Sequence, residues 1–194
     1  MSDPLALHNF VASLLVFGAP VGSLVVENRR FRGDRKRRWS DPTFWQLEVS
    51  QIAGLVLGVL LAKQVPAAAL PGNEWLWPAL GCAVGLIGVA LRWWAIRTLG
   101  AHFTRNLQVA ADQQLVIDGP YRFLRHPSYT GAILMYAGVG IGLGNVLSLA
   151  TCVVFPAIGF VRRIPVEEAL LRRQLGGSYA EYASHTRRLL PGVW

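Results

Sequence analysis

Three short stretches hold the residues best able to do chemistry. Gly119-Pro120-Tyr121-Arg122-Phe123-Leu124-Arg125-His126-Pro127-Ser128-Tyr129 precedes an apolar run, and Arg162-Arg163-Ile164-Pro165-Val166-Glu167-Glu168 follows another. Tyr179, Tyr182 and the segment Thr186 to Pro191 lie beyond them in the tail. Each stretch has an ordinary reading. Arg125 and His126 suit a headgroup interface, and Pro127 suits the first turn of a helix. Glu167 and Glu168, just after Pro165, suit a helix N-terminus, while Tyr179 and Tyr182 suit a core or an interfacial belt. Together the stretches say more. Arg163 and Glu167 are four apart and share one face of a helix. A cation and a carboxylate at the edge of an apolar run, facing the His126 segment, make a polar pocket with lipid on one side. Ionisable groups at that depth are functional candidates, and an arginine there can hold a carboxylate in a two-pronged fork.

The elements that must position these residues are apolar helices. The 194 residues are 53% hydrophobic with seven Trp, and only 15% are charged, against about a quarter in a soluble domain. The apolar residues gather in runs of roughly 15 to 24, long enough to cross a hydrocarbon core about 30 Å thick. Runs at about Leu5 to Val26, Thr43 to Ala62, Trp75 to Thr98, Tyr129 to Leu143 and Val146 to Val161 predict an all-α polytopic membrane protein with about five transmembrane helices. Asp41-Pro42 reads as an N-cap followed by Pro at the first helical position. Trp75 and Trp77 at one end of the third run, and Trp93 and Trp94 at the other, form the aromatic belt of a crossing helix. The last two runs are short and separated by Gly144-Asn145, so a tight helical hairpin is expected. Residues 1–194 are expected to form one membrane domain. Within it, 1–98 supply three spans and 99–194 supply the polar connector, the hairpin and an amphipathic tail starting at Arg162.

The formal charge of +8 is distributed asymmetrically. Residues 1–28 contain no Lys or Arg, the loop from Arg29 to Arg38 contains seven, the next loop contains only Lys63, and the chain after Thr98 contains nine. Five crossings with the N-terminus outside put every basic segment on the cytoplasmic side, as the positive-inside rule asks. The connector from Leu99 to Ser128 and the tail from Arg162 to Trp194 then share one face and can close over each other. The basic residues flank apolar spans and carry no stacking-aromatic motif, so anionic lipid headgroups are the expected partners and nucleic acid is not. Cys82 and Cys152 both fall inside apolar runs, with no CxxC and no Cys/His cluster at zinc spacing, so neither a disulfide nor a metal site is suggested. The N-terminus lacks a basic region before its apolar run, so that run is expected to stay in place as a span.

The stretch from Leu99 to Pro191 resembles the isoprenylcysteine carboxyl methyltransferase family, within the wider group that includes phospholipid N-methyltransferases. The residues that carry the resemblance are Gln114-Leu115-Val116, Gly119-Pro120-Tyr121, Arg125-His126-Pro127-Ser128-Tyr129 with Gly131, Asn145, Arg163, Glu167-Glu168, Gly176, Tyr179, Tyr182 and Leu190-Pro191. The resemblance implies a site for S-adenosylmethionine built from the connector and the tail. Gln113, Gln114, Leu115 and Val116 match cofactor contacts made partly through main chain. Tyr121, His126, Pro127, Ser128, Tyr129 and Glu167 match further contacts, and Asn106 falls where relatives present an amide. Arg163 matches the arginine proposed to engage the substrate. Gln113 departs from the pattern, since relatives often have His there, but glutamine can still hydrogen-bond.

What the resemblance implies agrees with elementary chemistry. Methyl transfer from a sulfonium is an in-line displacement in which positioning does much of the work. A carboxylate acceptor, with a reference pKa of about 3.5, is ionised near neutrality and needs no general base. It needs a cation to orient it, the role expected of Arg163, while Glu167 would hold the ammonium of the cofactor's methionine part. The expected substrate is the carboxylate of an isoprenylcysteine or a similar amphipathic acid. Three rivals remain: an amine acceptor as in phosphatidylethanolamine methylation, with His126 or Glu168 as the base such a reaction wants; a sterol-reductase-like protein using NADPH; and a non-catalytic membrane binding module. The membrane would be the plasma membrane in a prokaryote and the endoplasmic reticulum in a eukaryote.

Overall fold

The computed structural model describes residues 42–73, 75–100 and 115–189. The expected first span, the basic run Arg29 to Arg38, and Asn106, Gln113 and Gln114 of the connector lie outside the described residues. Those that are described are all helical apart from turns and two isolated bridges. Helix α1 spans Pro42–Gln64, α2 Leu76–Leu99, α3 Pro127–Gly142, α4 Val146–Leu175 and α5 Gly177–His185. Short 3-10 turns occupy Pro66–Ala68 and Gly119–Arg122. Helix α1 starts at Pro42, as its fixed φ and missing N–H favour at a first helical position.

Three of these helices are long and apolar enough to cross a membrane: Thr43–Gln64, Leu76–Leu99 and Val146–Leu175. Their outward faces are apolar. Val49, Ile52, Val56 and Leu60 on α1, Leu86 and Ile87 on α2, and Val154 and Ile158 on α4 are all exposed. Water would penalise such a surface, and lipid would not. The 16-residue α3 is shorter and lies inside, with Thr130, Ala132, Met135, Tyr136 and Val139 buried between α2 and α4.

Close packing here relies on small residues. A Cβ added at Gly88 would lie 2.6 Å from the Gly131 carbonyl oxygen, and one at Gly138 would lie 2.6 Å from that of Gly81. So α2 and α3 touch backbone to backbone, the mode by which helices associate in lipid. Gly88→Val is expected to force them apart and disturb the Arg92–Ser128 contact described below. The cost should be about 1–3 kcal/mol, the range for overpacking a filled interior. A lowered midpoint for thermal loss of helical circular dichroism in detergent would register it. Between α1 and α4, the Ser148 hydroxyl donates to the Gly58 carbonyl at 2.7 Å, and between α3 and α1 the Tyr136 hydroxyl donates to Gln51 Oε1 at 2.8 Å.

The hairpin forms where Gly144-Asn145 predicts it. Gly144 takes a left-handed φ of +61°, which glycine adopts without strain. Asn145 then caps α4, accepting from the N–H groups of Leu147 and Ser148 at 3.0 and 3.1 Å. Its amide donates to the Val65 carbonyl, and the Leu70 N–H donates to the Gly144 carbonyl, so this turn is tied to the α1–α2 connection.

One boundary differs from the sequence expectation. The fifth span does not stop near Val161 with a separate tail from Arg162; α4 runs unbroken to Leu175, through Pro156 and Pro165. Pro165 forgoes one helical hydrogen bond, but Arg163, Ile164 and Glu168 around it are all buried against neighbouring elements, which holds the helix together. Glu167 and Glu168 therefore sit mid-helix, and the helix-N-terminus explanation of the two acids does not apply.

Candidate active site

The site gathers at the end of the bundle opposite the Gly144-Asn145 turn. The start of α1, the end of α2, the start of α3 and the middle of α4 converge there. Arg163 donates from NH1 to the Thr43 hydroxyl at 3.2 Å, linking α4 to α1. Arg92 donates from NH1 to the Ser128 carbonyl and hydroxyl at 3.0 and 2.9 Å, linking α2 to α3.

Connector and tail are stitched together by backbone. The N–H groups of Arg125 and His126 donate to the carbonyls of Arg187 and Arg188 at 2.7 and 3.0 Å, and the Arg187 N–H donates to the Phe123 carbonyl at 3.2 Å. Thr130 donates from its hydroxyl to the Leu189 carbonyl at 2.6 Å. Helix α5 adds two ties: the Tyr182 hydroxyl donates to the Tyr121 carbonyl at 2.8 Å, and Arg125 NH1 donates to the Ala183 carbonyl at 2.6 Å. Burial pushes the Tyr182 phenol up to about 12, which keeps it a neutral donor.

Glu168 is the hub of this junction. It is 2% exposed, with Arg125 Nε at 3.0 Å, His126 Nε2 at 3.4 Å and Arg188 NH2 at 2.9 Å. A buried carboxylate survives only with such partners. The Arg188 guanidinium is raised further above its already high value, first by its hydrogen bond to Glu168.

Glu167 faces a different neighbourhood. Its carboxylate accepts from the Tyr129 hydroxyl at 2.7 Å, lies 4.0 Å from His126 Nδ1, and keeps 32% of its side chain exposed. Tyr129 in turn accepts from Arg163 Nε at 3.1 Å. Arg163 is buried, 2% exposed. His126, Tyr129 and Phe160 stack in series, with ring centroids 5.4 and 4.6 Å apart. Tyr121 approaches from the 3-10 turn, its phenol raised well beyond the usual range by burial and then by the Glu167 charge.

The structure thus brings His126, Tyr129, Arg163 and Glu167 together, with Tyr121 beside them. Pro127 starts α3 and is buried, as expected. Ser128 is buried but turns its hydroxyl to Arg92 on α2. Leu115 and Val116 lie partly buried in an irregular segment leading to the 3-10 turn. The reading from sequence missed Arg92, Arg125 and Arg188 as partners. Arg92 lies inside an apolar run where no spacing points to Ser128, and nothing in spacing ties Arg188 to Glu168.

Fold and site together define an integral membrane protein whose helices hold a network of buried and partly buried arginines and carboxylates at one end of the bundle. The profile of the Isoprenylcysteine carboxyl methyltransferase (ICMT) family matches residues 79–173, the stretch from α2 to the end of α4 that carries Tyr121 to Glu168. A probable protein-S-isoprenylcysteine O-methyltransferase of Oryza sativa subsp. indica is 30% identical over 189 residues, covering 95% of each chain. Protein-S-isoprenylcysteine O-methyltransferase B of Arabidopsis thaliana is 33% identical over 123 residues, 62% of each chain. The solved structure of the eukaryotic intramembrane Ras methyltransferase ICMT superposes with a TM-score of 0.63 at 29% identity. That match covers 76% of this chain, which spans about half, 53%, of the length of that one. The chain belongs to the isoprenylcysteine carboxyl methyltransferase family. It is a membrane methyltransferase and requires a methyl donor, so the reductase reading is set aside.

Proposed function

We propose that the protein transfers the methyl group of S-adenosylmethionine to the carboxylate of an isoprenylcysteine or a similar amphipathic acid at the cytoplasmic membrane surface. The observation that carries this reading is the line Arg163–Tyr129–Glu167, a buried cation and a half-exposed carboxylate joined through one phenol. The names of the relatives support the acceptor class.

The residues fit the donor. Glu168 is enclosed by guanidinium groups, whereas Glu167 keeps an exposed carboxylate able to take up an ammonium. S-adenosylmethionine, when bound, supplies an electrophilic methyl on a sulfonium. Glu167 would hold the amino-acid end of that donor, with Tyr121, His126, Pro127, Ser128 and Tyr129 near it; the family resemblance adds the segment Gln113 to Val116 and the amide of Asn106 as further contacts. Arg163 orients the acceptor carboxylate, which arrives ionised and needs no base. Connector and tail, closed over each other, exclude water while opposite charges neutralise. An amine acceptor would have to give up a proton first, and both nitrogens of His126 are turned toward carboxylates rather than toward an incoming lipid. That favours the acid.

The proposal includes five crossings, the N-terminus outside and the C-terminus cytoplasmic, a reading supported by the start of α1, which follows Arg29 to Arg38 in the chain, lying at the same end of the bundle as Arg125, Arg163 and Arg188. Two measurements test it. Membranes holding the protein are given methyl-labelled donor, lipid extract and a farnesylated cysteine acid. Label released by mild alkali as methanol supports the ester, and alkali-stable label in phospholipid contradicts it. In calorimetry with S-adenosylhomocysteine, Glu167→Ala is expected to weaken binding about tenfold or more, the value of a hydrogen bond to a charged group.

A further inference from the structure

His126 stands between the two acids of α4 and meets them with different nitrogens. Its Nε2 lies 3.4 Å from Glu168 Oε1, and its Nδ1 lies 4.0 Å from Glu167 Oε1. Nε2 is enclosed and makes no hydrogen bond to another group among the described residues, so Glu168 is the neighbour it meets. A buried lone pair against a carboxylate would be repelled, whereas an N–H is attracted to it. Nε2 therefore carries the proton, and in the neutral ring Nδ1 is then an acceptor. Glu168 can hold that proton without drawing a second onto the ring, because it shares its charge with Arg125 Nε at 3.0 Å and Arg188 NH2 at 2.9 Å. The ring is held in place: it stacks on Tyr129 with the planes 3° apart, and its backbone N–H donates to the Arg188 carbonyl. At 4.0 Å, Nδ1 and Glu167 are too far apart for a hydrogen bond to each other. Two acceptors each about 2.9 Å from one nitrogen stand about 4–4.7 Å apart, so a single ammonium fits between them. The Tyr129 hydroxyl donates to Glu167 Oε2, and it is the other oxygen, Oε1, that faces the imidazole.

We propose that Glu168 is a positioning residue that fixes the tautomer of His126, so that Nδ1 and Glu167 Oε1 take the ammonium of the donor between them. The inference rests on the donor-binding role of Glu167 under the proposed function and adds what prepares the second acceptor. The acid enclosed by guanidinium groups thereby acts on donor binding through the imidazole, besides joining connector to tail. An ammonium on the Nδ1 side also keeps the ring neutral, since a second proton there would face a cation.

Varying ligand and residue together separates this from a packing role. In full-length protein in lipid nanodiscs, calorimetry compares S-adenosylhomocysteine with its analogue lacking the amino group. His126→Phe, which keeps a ring against Tyr129, is expected to weaken the amine ligand about tenfold, the effect of one hydrogen bond to a charged group, and the deamino analogue less than about threefold. Equal weakening of the two ligands overturns the proposal, because a lost packing contact would not distinguish them. Nitrogen NMR of the imidazole, assigned by comparison with His126→Phe, gives a second readout. With S-adenosylhomocysteine bound, Nε2 should be protonated and Nδ1 not. In Glu168→Gln, whose amide can offer Nε2 either an oxygen or an N–H, the tautomers should mix and the preference for the amine ligand should fall about threefold or more. A wild-type ring protonated on Nδ1, or a tautomer unchanged in Glu168→Gln, overturns the assignment. If the wild type does not bind S-adenosylhomocysteine, or Glu167→Ala leaves its affinity unchanged, the proposed function falls and takes this inference with it. A Glu167→Ala loss beside a His126→Phe that treats both ligands alike sinks the inference alone.

Discussion

Arg163→Ala is expected to reduce methyl transfer by roughly two to three orders of magnitude, the scale for losing one preorganised charged group at a reacting centre, while S-adenosylhomocysteine binding changes little. Arg163 is buried, fixed by Thr43 on one side and Tyr129 on the other, and so presents a guanidinium of defined direction. Alanine removes that fork without touching the Glu167 carboxylate. Turnover and donor binding should therefore separate, a split readable from rate assays and calorimetry on one preparation. Arg163→Lys should recover only part of the rate, because an ammonium keeps the charge but not the planar two-pronged geometry. Equal loss of turnover and donor binding in Arg163→Ala would mean that the arginine shapes the whole site rather than the acceptor end.

Glu168→Ala is expected to be the most destabilising single change at the site. The carboxylate lies within 3.4 Å of Arg125, His126 and Arg188, and the variant would remove the one carboxylate that these three share. Breaking a buried pair in this way costs about 3–5 kcal/mol, and the partial exposure of Arg188, 26% of its side chain, argues for the lower part of that range. The consequence should be local first: residues 186–189 detach from residues 123–126. Limited proteolysis of the tail should accelerate before the helices lose structure, and Glu168→Gln should fall between wild type and alanine. A tail as protease-resistant in Glu168→Ala as in wild type would remove Glu168 from its place as the junction's hub.

Much of this was legible in the sequence. Apolar run lengths located α1, α2, α3 and the start of α4, because lipid imposes length on a helix more strictly than propensity does. Gly144-Asn145 marked the hairpin through one left-handed position and one cap. The four-residue spacing of Arg163 and Glu167 correctly placed both on one face, although the phenol standing between them came from α3 and no local pattern announces it. The end of α4 was misjudged because hydrophobicity stops at Val161 and Pro165 reads as a breaker, whereas tertiary contacts of Arg163, Ile164 and Glu168 carry the helix onward. The Glu168 hub was hidden for a related reason. Its partners come from the connector and the tail, which only the folded chain brings together.

That meeting of connector and tail over the donor is the central claim, and hydrogen–deuterium exchange in nanodiscs tests it most directly. Adding S-adenosylhomocysteine should slow exchange in residues 115–126 and in residues 186–189 together, because opening either would require release of the ligand. Slowing confined to the connector, with the tail unchanged, would contradict a site that both segments close.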